Sequence, residues 1–100
     1  MLIAILDFTT TAGQRPTALA QLDAERAEVH AMPGNVAFRV YSSREDPGGV
    51  TVIHEWDDQP SFAAYLASPA FARSGVVLRP LMTSAPVSRR FHADLLETVG

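Results

Sequence analysis

The sequence contains no cysteine and no lysine, and each absence excludes a class of function. Without cysteine there are no disulfide bonds, thiol nucleophiles or cysteine-ligated metal sites. Without lysine, and with a net charge of −3, the surface has no dense cluster of cations of the kind that binds nucleic-acid phosphates. No apolar run is long enough to cross a membrane, and the apolar stretch from Leu2 to Leu6 lacks the basic flank of a signal peptide. We therefore expect a cytoplasmic protein that binds neither nucleic acid nor a membrane.

Histidine is scarce as well. The three histidines are His30, His54 and His92, and no two of them stand three or four residues apart. That spacing is what would place two imidazoles on one helix face as metal ligands. We expect no metal site.

What the sequence does contain is apolar, with 47% hydrophobic and 19% charged residues. One hundred residues can form a single domain, residues 1–100, whose core needs neither a metal nor a disulfide. A small domain with this much apolar surface often covers part of it by association.

The most informative stretch runs from Val50 to Ala72. It begins as a strand in which Val52, His54 and Trp56 share one face, as a period of two requires. Asp57 to Pro60 consists of turn formers and ends that strand. Two short helices are expected to follow, and the second is expected to begin soon after the first ends.

The capping residues of these two helices can be assigned from the sequence. Asp58 or Ser61 is expected to cap the first helix, and Ser68, followed by proline, the second. The first helix carries one apolar stripe, formed by Phe62, Tyr65 and Leu66.

The rest of the chain predicts one longer helix and three more strands. The helix is expected to begin near Pro16 and to end at Pro33. Val76 to Ser84 is expected to be a connector. The further strands are expected at Leu2 to Phe8, Val36 to Ser42 and Pro86 to Ala93. The charged residues of the long helix are expected to face mostly outward: Asp23, Glu25, Arg26 and Glu28.

A hairpin is expected to join the second and third strands through Arg44 to Gly49. Centring it near Pro47 places Arg39 opposite Glu55, which pairs opposite charges. The same register places Phe38 and Val40 near Trp56 and His54.

Two helical segments cannot cover both faces of a four-stranded sheet. They can cover one face, and the other face is left uncovered. That face is expected to carry Ile3, Ile5, Ile53 and Tyr41, which are too apolar to remain in water. Pairing of two sheets across a homodimer would bury it.

The residues Glu55 and Trp56 that close the strand, and the F-x-x-Y-L-x-S-x-x-F pattern from Phe62 to Phe71, resemble the antibiotic biosynthesis monooxygenase family. The resemblance implies a dimeric α+β barrel: a ferredoxin-like, four-stranded antiparallel sheet with helices on one face. It also implies a pocket between the sheet and the helices. The fold hosts several chemistries, so the resemblance specifies the fold more narrowly than the reaction.

The family's functional residues carry over only in part. In members that oxidise polycyclic phenols without a cofactor, an asparagine stands where this chain has Val52, and an arginine aligns near Gly75. In members that degrade haem, the positions that match the catalytic triad are here Asp7, Tyr65 and about Gly75, and all three differ. Only the tryptophan, Trp56, is retained.

We expect a small oxygenase acting on an aromatic, polyketide-derived substrate in natural-product biosynthesis. It would use no cofactor, or reduced flavin supplied by a partner reductase. The alternative is a non-catalytic or cyclase-like, isomerase-like protein on the same scaffold. His54 is the candidate base or hydrogen-bond partner and Trp56 the wall on which the ring stacks. The residues expected to contact the substrate are Phe38, Tyr41, Val52, Phe62, Tyr65 and Arg73.

Both catalytic candidates also have a purely structural interpretation. His54 can be a core histidine whose ring is satisfied by a backbone carbonyl, because nothing near it in the sequence orients the imidazole. Trp56 can be an aromatic anchor of the core, although its indole N–H then needs a partner.

Overall fold

The computed structural model describes all 100 residues, and its elements follow the order β1-α1-β2-β3-α2-α3-β4. Short 3₁₀ turns at Ala12–Gln14 and Arg79–Leu81 precede α1 and follow α3. The strands are β1 (Leu2–Thr9), β2 (Asn35–Ser42), β3 (Gly49–Trp56) and β4 (Val87–His92), and the helices are α1 (Arg15–Val29), α2 (Gln59–Leu66) and α3 (Pro69–Leu78).

The four strands form one antiparallel sheet in the order β2-β3-β1-β4. β1 therefore lies inside the sheet, between β3 and β4. The helices cover one face. This is the ferredoxin-like α+β fold predicted from the sequence. No helix combines the length and the apolar character that a membrane crossing requires.

The helix boundaries arise from the capping residues that the sequence predicts. Asp58 accepts a hydrogen bond from the backbone N–H of Ser61 at 2.8 Å and begins α2, and Ser68 accepts one from Phe71 at 3.2 Å and begins α3. Gly34 follows α1 with φ of +81°, and a Cβ atom there would lie 2.2 Å from Oγ of Ser61. Only glycine fits this turn.

The β2–β3 hairpin is shifted by two residues from the predicted register. Arg39 lies opposite Ile53, Phe38 opposite His54 and Val40 opposite Val52. The shift arises because the backbone N–H of Ser43 bonds to the carbonyl of Gly49, which centres the loop one residue earlier than Pro47. An even shift leaves every side chain on its predicted face. Arg39 and Glu55 are still neighbours, with Nη1 and Oε2 2.9 Å apart.

The predicted connector from Val76 begins too early, because Val76 to Leu78 form the last turn of α3. The buried residues Ala70, Ser74 and Leu78 recur every four positions, so one helical face continues through this turn. The α-helix ends at Leu78, and the chain continues through the 3₁₀ turn Arg79–Leu81, which contains Pro80.

The core lies between the helices and one face of the sheet. Ala4, Val52 and Trp56 are fully buried there, against Leu22 and Val29 of α1. The opposite sheet face is only half-buried at Ile3, Ile5 and Ile53, and Tyr41 is 47% exposed.

Candidate active site

A cavity of about 110 Å³ lies between the helices and the helix-facing side of the sheet. β2 and β3 contribute Phe38, Val52 and His54, and the helices contribute apolar and polar side chains opposite them. Arg79 and Pro86 line the cavity but are exposed, so they mark its mouth. The remaining walls are formed by Leu6, Leu22, Glu25, Tyr65, Phe71, Ser74, Gly75, Leu78 and Met82.

The imidazole of His54 is oriented by the tryptophan two residues later. The indole N–H of Trp56 donates to Nδ1 of His54 at 2.9 Å. The two side chains point the same way because residues i and i+2 of a strand share a face. Nδ1 is thus an acceptor, so the neutral ring carries its proton on Nε2.

Nε2 of His54 is directed to the cavity. Every buried side-chain nitrogen and oxygen has a hydrogen-bond partner, whereas Nε2 has none within the chain, so it lies at the cavity surface. Burial, with a contribution from the cation of Arg90, lowers the pKa of His54 from 6.5 to about 4. At neutral pH the ring is therefore neutral and offers an Nε2–H donor. Of the two roles predicted for His54, this tautomer fits the hydrogen-bond donor and not the proton acceptor.

Aromatic rings hold this imidazole in place. The ring centroids of Phe38, Phe62 and Tyr65 lie 5.5, 5.6 and 5.5 Å from that of His54. Tyr65 also stacks on Trp56 with centroids 5.2 Å apart. Close packing on several sides leaves the donor little freedom to move, which is the requirement for a preorganised site.

Glu25 of α1 is the polar group of the cavity that the sequence interpretation missed. It was expected to face mostly outward, and this is wrong, because Glu25 is only 4% exposed. The Tyr65 hydroxyl is 3.3 Å from each carboxylate oxygen and donates to them. Burial raises the pKa of Glu25 from 4.5 to about 7, although the hydroxyls of Ser74 and Tyr65 favour the charged form. Glu25 is thus poised between a carboxylate and a carboxylic acid at neutral pH.

Tyr65 remains a phenol throughout the ordinary pH range. Burial and the neighbouring Glu25 carboxylate both raise the pKa of its hydroxyl. Because it stays protonated, it is a permanent hydrogen-bond donor to Glu25. Gln21 completes this polar end by donating from Nε2 to Oγ of Ser74 at 3.1 Å.

Arg79 brings the one cation that lines the cavity. Its Nε would lie 3.6 Å from a Cβ atom at Gly75, an ordinary van der Waals distance, so the guanidinium stem passes beside the residue one turn earlier.

The predicted site residues divide into three groups. Phe38, Val52, His54 and Tyr65 line the cavity together. Trp56 and Phe62 are buried behind its wall, where both pack on His54. Tyr41 and Arg73 lie elsewhere.

The expected contact of Tyr41 and Arg73 with a substrate in this cavity is corrected by the structure. Tyr41 alternates with Val40 on β2 and therefore points to the half-buried face of the sheet. Arg73 pairs with Glu28 on the outer surface of α3 and α1.

Glu25 could have been found from the helical period. The buried residues of α1 are Ala18, Leu22, Glu25 and Val29, which recur at intervals of four, three and four. A carboxylate within an apolar stripe is a buried polar group, and such groups cluster at functional sites. The other two residues, Ser74 and Arg79, carry no comparable signal.

Comparison with known proteins gives a family and a fold. A family model described as antibiotic biosynthesis monooxygenase matches residues 1–74. No functionally curated protein matches the sequence at a significant level.

Solved structures from several organisms superpose closely. A Deinococcus radiodurans protein, named as a candidate antibiotic biosynthesis monooxygenase, has a TM-score of 0.90 and 17% identity over 100% of this chain and 99% of its own. A Mycobacterium tuberculosis protein has a TM-score of 0.86 and 19% identity over 98% of both chains. At these identities the likeness shows the fold alone.

Proposed function

The chain belongs to the antibiotic biosynthesis monooxygenase family, and we propose that it is a small oxygenase that oxidises a phenolic ring held in the cavity beside His54. The observation that carries the proposal is the fixed Nε2–H of His54, which is held by Trp56 and directed into an otherwise mostly apolar enclosure. A fixed donor aimed into a mostly apolar cavity stabilises an oxygen on which negative charge develops.

The volume of the cavity limits what enters it. A cavity of about 150 Å³ lined by apolar side chains holds one benzene ring. The cavity here, about 110 Å³, is smaller than that and opens to solvent, so it would admit the hydroxyl-bearing side of one phenolic ring with the rest of the ring toward the mouth. The further rings of a polyketide-derived substrate would extend past Arg79 and Pro86 at the mouth.

The proposed reaction converts a phenol and O₂ into a para-quinone and water. One oxygen atom enters the ring at the carbon opposite the hydroxyl, and the other leaves as water with the two hydrogens that the ring loses. The two electron pairs come from the substrate, so no external reductant is needed. His54 would donate its Nε2–H to the substrate oxygen as the phenolate forms.

The electron balance of this reaction argues for a cofactor-independent route, because the substrate itself supplies both electron pairs. We therefore prefer this alternative to the use of reduced flavin from a partner reductase.

A cyclase-like or isomerase-like reaction is the second candidate, and the pairing of Glu25 with His54 in one cavity favours it. A carboxylate base and a fixed donor on the substrate oxygen are also the groups that enolisation requires. This reaction would proceed without O₂.

An oxygen electrode combined with absorbance spectroscopy tests the proposal. Anthrone and a dihydroxynaphthalene that has a hydrogen at the carbon opposite one hydroxyl would be added to the protein with and without reduced flavin. We expect one O₂ consumed per quinone formed in the absence of flavin. Conversion of substrate at an unchanged rate under argon would support the isomerase-like alternative, and no conversion under any condition would contradict an enzymatic role.

We also propose that the protein is a homodimer closed through the half-buried sheet face. Ile3, Ile5 and Ile53 make this face apolar, and the helices do not cover it. A stable interface should bury at least about 1,200 Å² in total. Light scattering at micromolar concentration should give twice the mass of the chain, 10.8 kDa, and a monomer would contradict the proposal.

A further inference from the structure

We infer that Glu25 is the residue that takes the proton of the substrate hydroxyl, and that the cavity thereby selects phenols over their ethers. This inference rests on the proposed phenol oxidation and names the residue that activates the substrate. The step itself is a single proton transfer, in which the phenol O–H bond breaks and a carboxyl O–H bond forms on Glu25.

The position of Glu25 supports this role. The carboxylate lines the same cavity as His54, and Tyr65 lines it between them. The Tyr65 ring lies 5.5 Å from the imidazole, whereas its hydroxyl is 3.3 Å from each oxygen of Glu25. One phenolic ring beside Tyr65 is thus within reach of a proton acceptor and a hydrogen-bond donor.

No competing partner neutralises Glu25. Its carboxylate takes part in none of the four salt bridges of the chain, and Arg79, which lines the same cavity, takes part in none of them either. Among the groups that face it are the hydroxyls of Tyr65 and Ser74, and the charge of Glu28 opposes its ionisation. His54 faces the same cavity and is neutral at pH 7.

The chemistry of His54 gives an independent reason. Because Nδ1 of His54 is occupied by the Trp56 indole, the neutral imidazole has no lone pair to accept the substrate proton. The cavity therefore needs another base, and Glu25 is the only carboxylate that lines it. Burial brings its pKa, about 7, nearer to the value of about 10 of a phenol, which eases the transfer.

The Glu25→Gln variant tests the inference, with Asp23→Asn as a control for the same charge change at an exposed position of α1. We expect kcat/KM for a phenol that has a hydrogen at the carbon opposite the hydroxyl to fall by about tenfold to a hundredfold. The acid limb of the kcat/KM profile, near pH 7 in the parent, should disappear. Asp23→Asn should retain both the rate and the limb.

A second measurement separates this inference from the proposed oxygenase activity. Phenol and methoxybenzene would be titrated anaerobically by isothermal calorimetry from pH 5.5 to pH 8.5. Phenol, which can donate to a carboxylate, should bind more tightly as Glu25 ionises, and methoxybenzene, which cannot, should bind more weakly. Both trends should vanish in Glu25→Gln. If they persist in that variant, or the acid limb remains, Glu25 is not the acceptor. If the trends vanish but no substrate is oxidised, the inference stands and the oxygenase proposal fails.

Discussion

Replacing His54 with phenylalanine is expected to lower kcat by about 10²–10³ while KM changes less. Phenylalanine keeps the ring and roughly its volume but removes the Nε2–H that faces the cavity. An interaction that strengthens only as the substrate oxygen gains charge acts on kcat rather than on KM. Steady-state kinetics with anthrone measures both parameters.

The same substitution also affects stability, for a reason that the structure supplies. Nδ1 of His54 is the acceptor for the indole N–H of Trp56, a side chain with no exposed surface. Phenylalanine leaves that N–H unpaired in the core, at a cost of about 1–3 kcal/mol. A loss of activity in His54→Phe must therefore be separated from a loss of folded protein.

His54→Gln provides that separation. Its side-chain carbonyl can accept from the Trp56 indole, and its amide N–H can donate into the cavity. We expect this variant to regain most of the stability and a measurable part of the turnover, while His54→Phe regains neither. Undiminished turnover in a folded His54→Phe variant would rule out the role assigned to this residue.

The sequence predicted the fold well because its signals are local. The alternation of residues in the strands, and the caps Asp58 and Ser68, depend on neighbours within a few positions. The face that each side chain occupies follows from the same alternation. Hence Arg39 and Glu55 were correctly placed together even though the register was wrong by two.

Only part of the candidate site could be predicted from the sequence. The remaining residues reach the cavity through contacts between segments that are distant in the sequence. Phe38, Val52, His54 and Tyr65 belong to the strand-helix module and its hairpin partner, and they were identified. Glu25 and Arg79 join the cavity only when α1 and the end of α3 pack over the sheet. A charged residue on a helix is normally taken as solvent-facing, and Glu25 is the exception that this packing creates.

Glu25 and His54 are both buried and titratable, and each is expected to make the stability of the protein depend on pH. Single substitutions should reveal the two dependences separately. The raised pKa of Glu25 means that its contribution to stability is fully present below pH 4.5 and is lost as the pH rises through about 7. The lowered pKa of His54 means that its contribution is fully present above pH 6.5 and is lost as the pH falls through about 4. These two windows overlap and have opposite slopes.

In the parent protein the two effects should nearly cancel between pH 4.5 and pH 6.5, so that the free energy of unfolding varies little. Each shift corresponds to a change on the order of 2–3 kcal/mol. In the Glu25→Gln variant only the His54 effect remains, so the free energy of unfolding should increase by that amount as the pH rises from 4 to 6.5. The His54→Gln variant should instead become less stable as the pH rises from 4.5 to 7.

Urea unfolding at a series of pH values, at one fixed protein concentration, measures all three curves. The double variant, which has neither titrating group, provides the control and should return to a nearly flat profile. The cancellation is a specific consequence of burying an acid and a base in one cavity. Parallel curves for the parent and Glu25→Gln would mean that Glu25 titrates normally, and the proton acceptor would then have to be sought elsewhere.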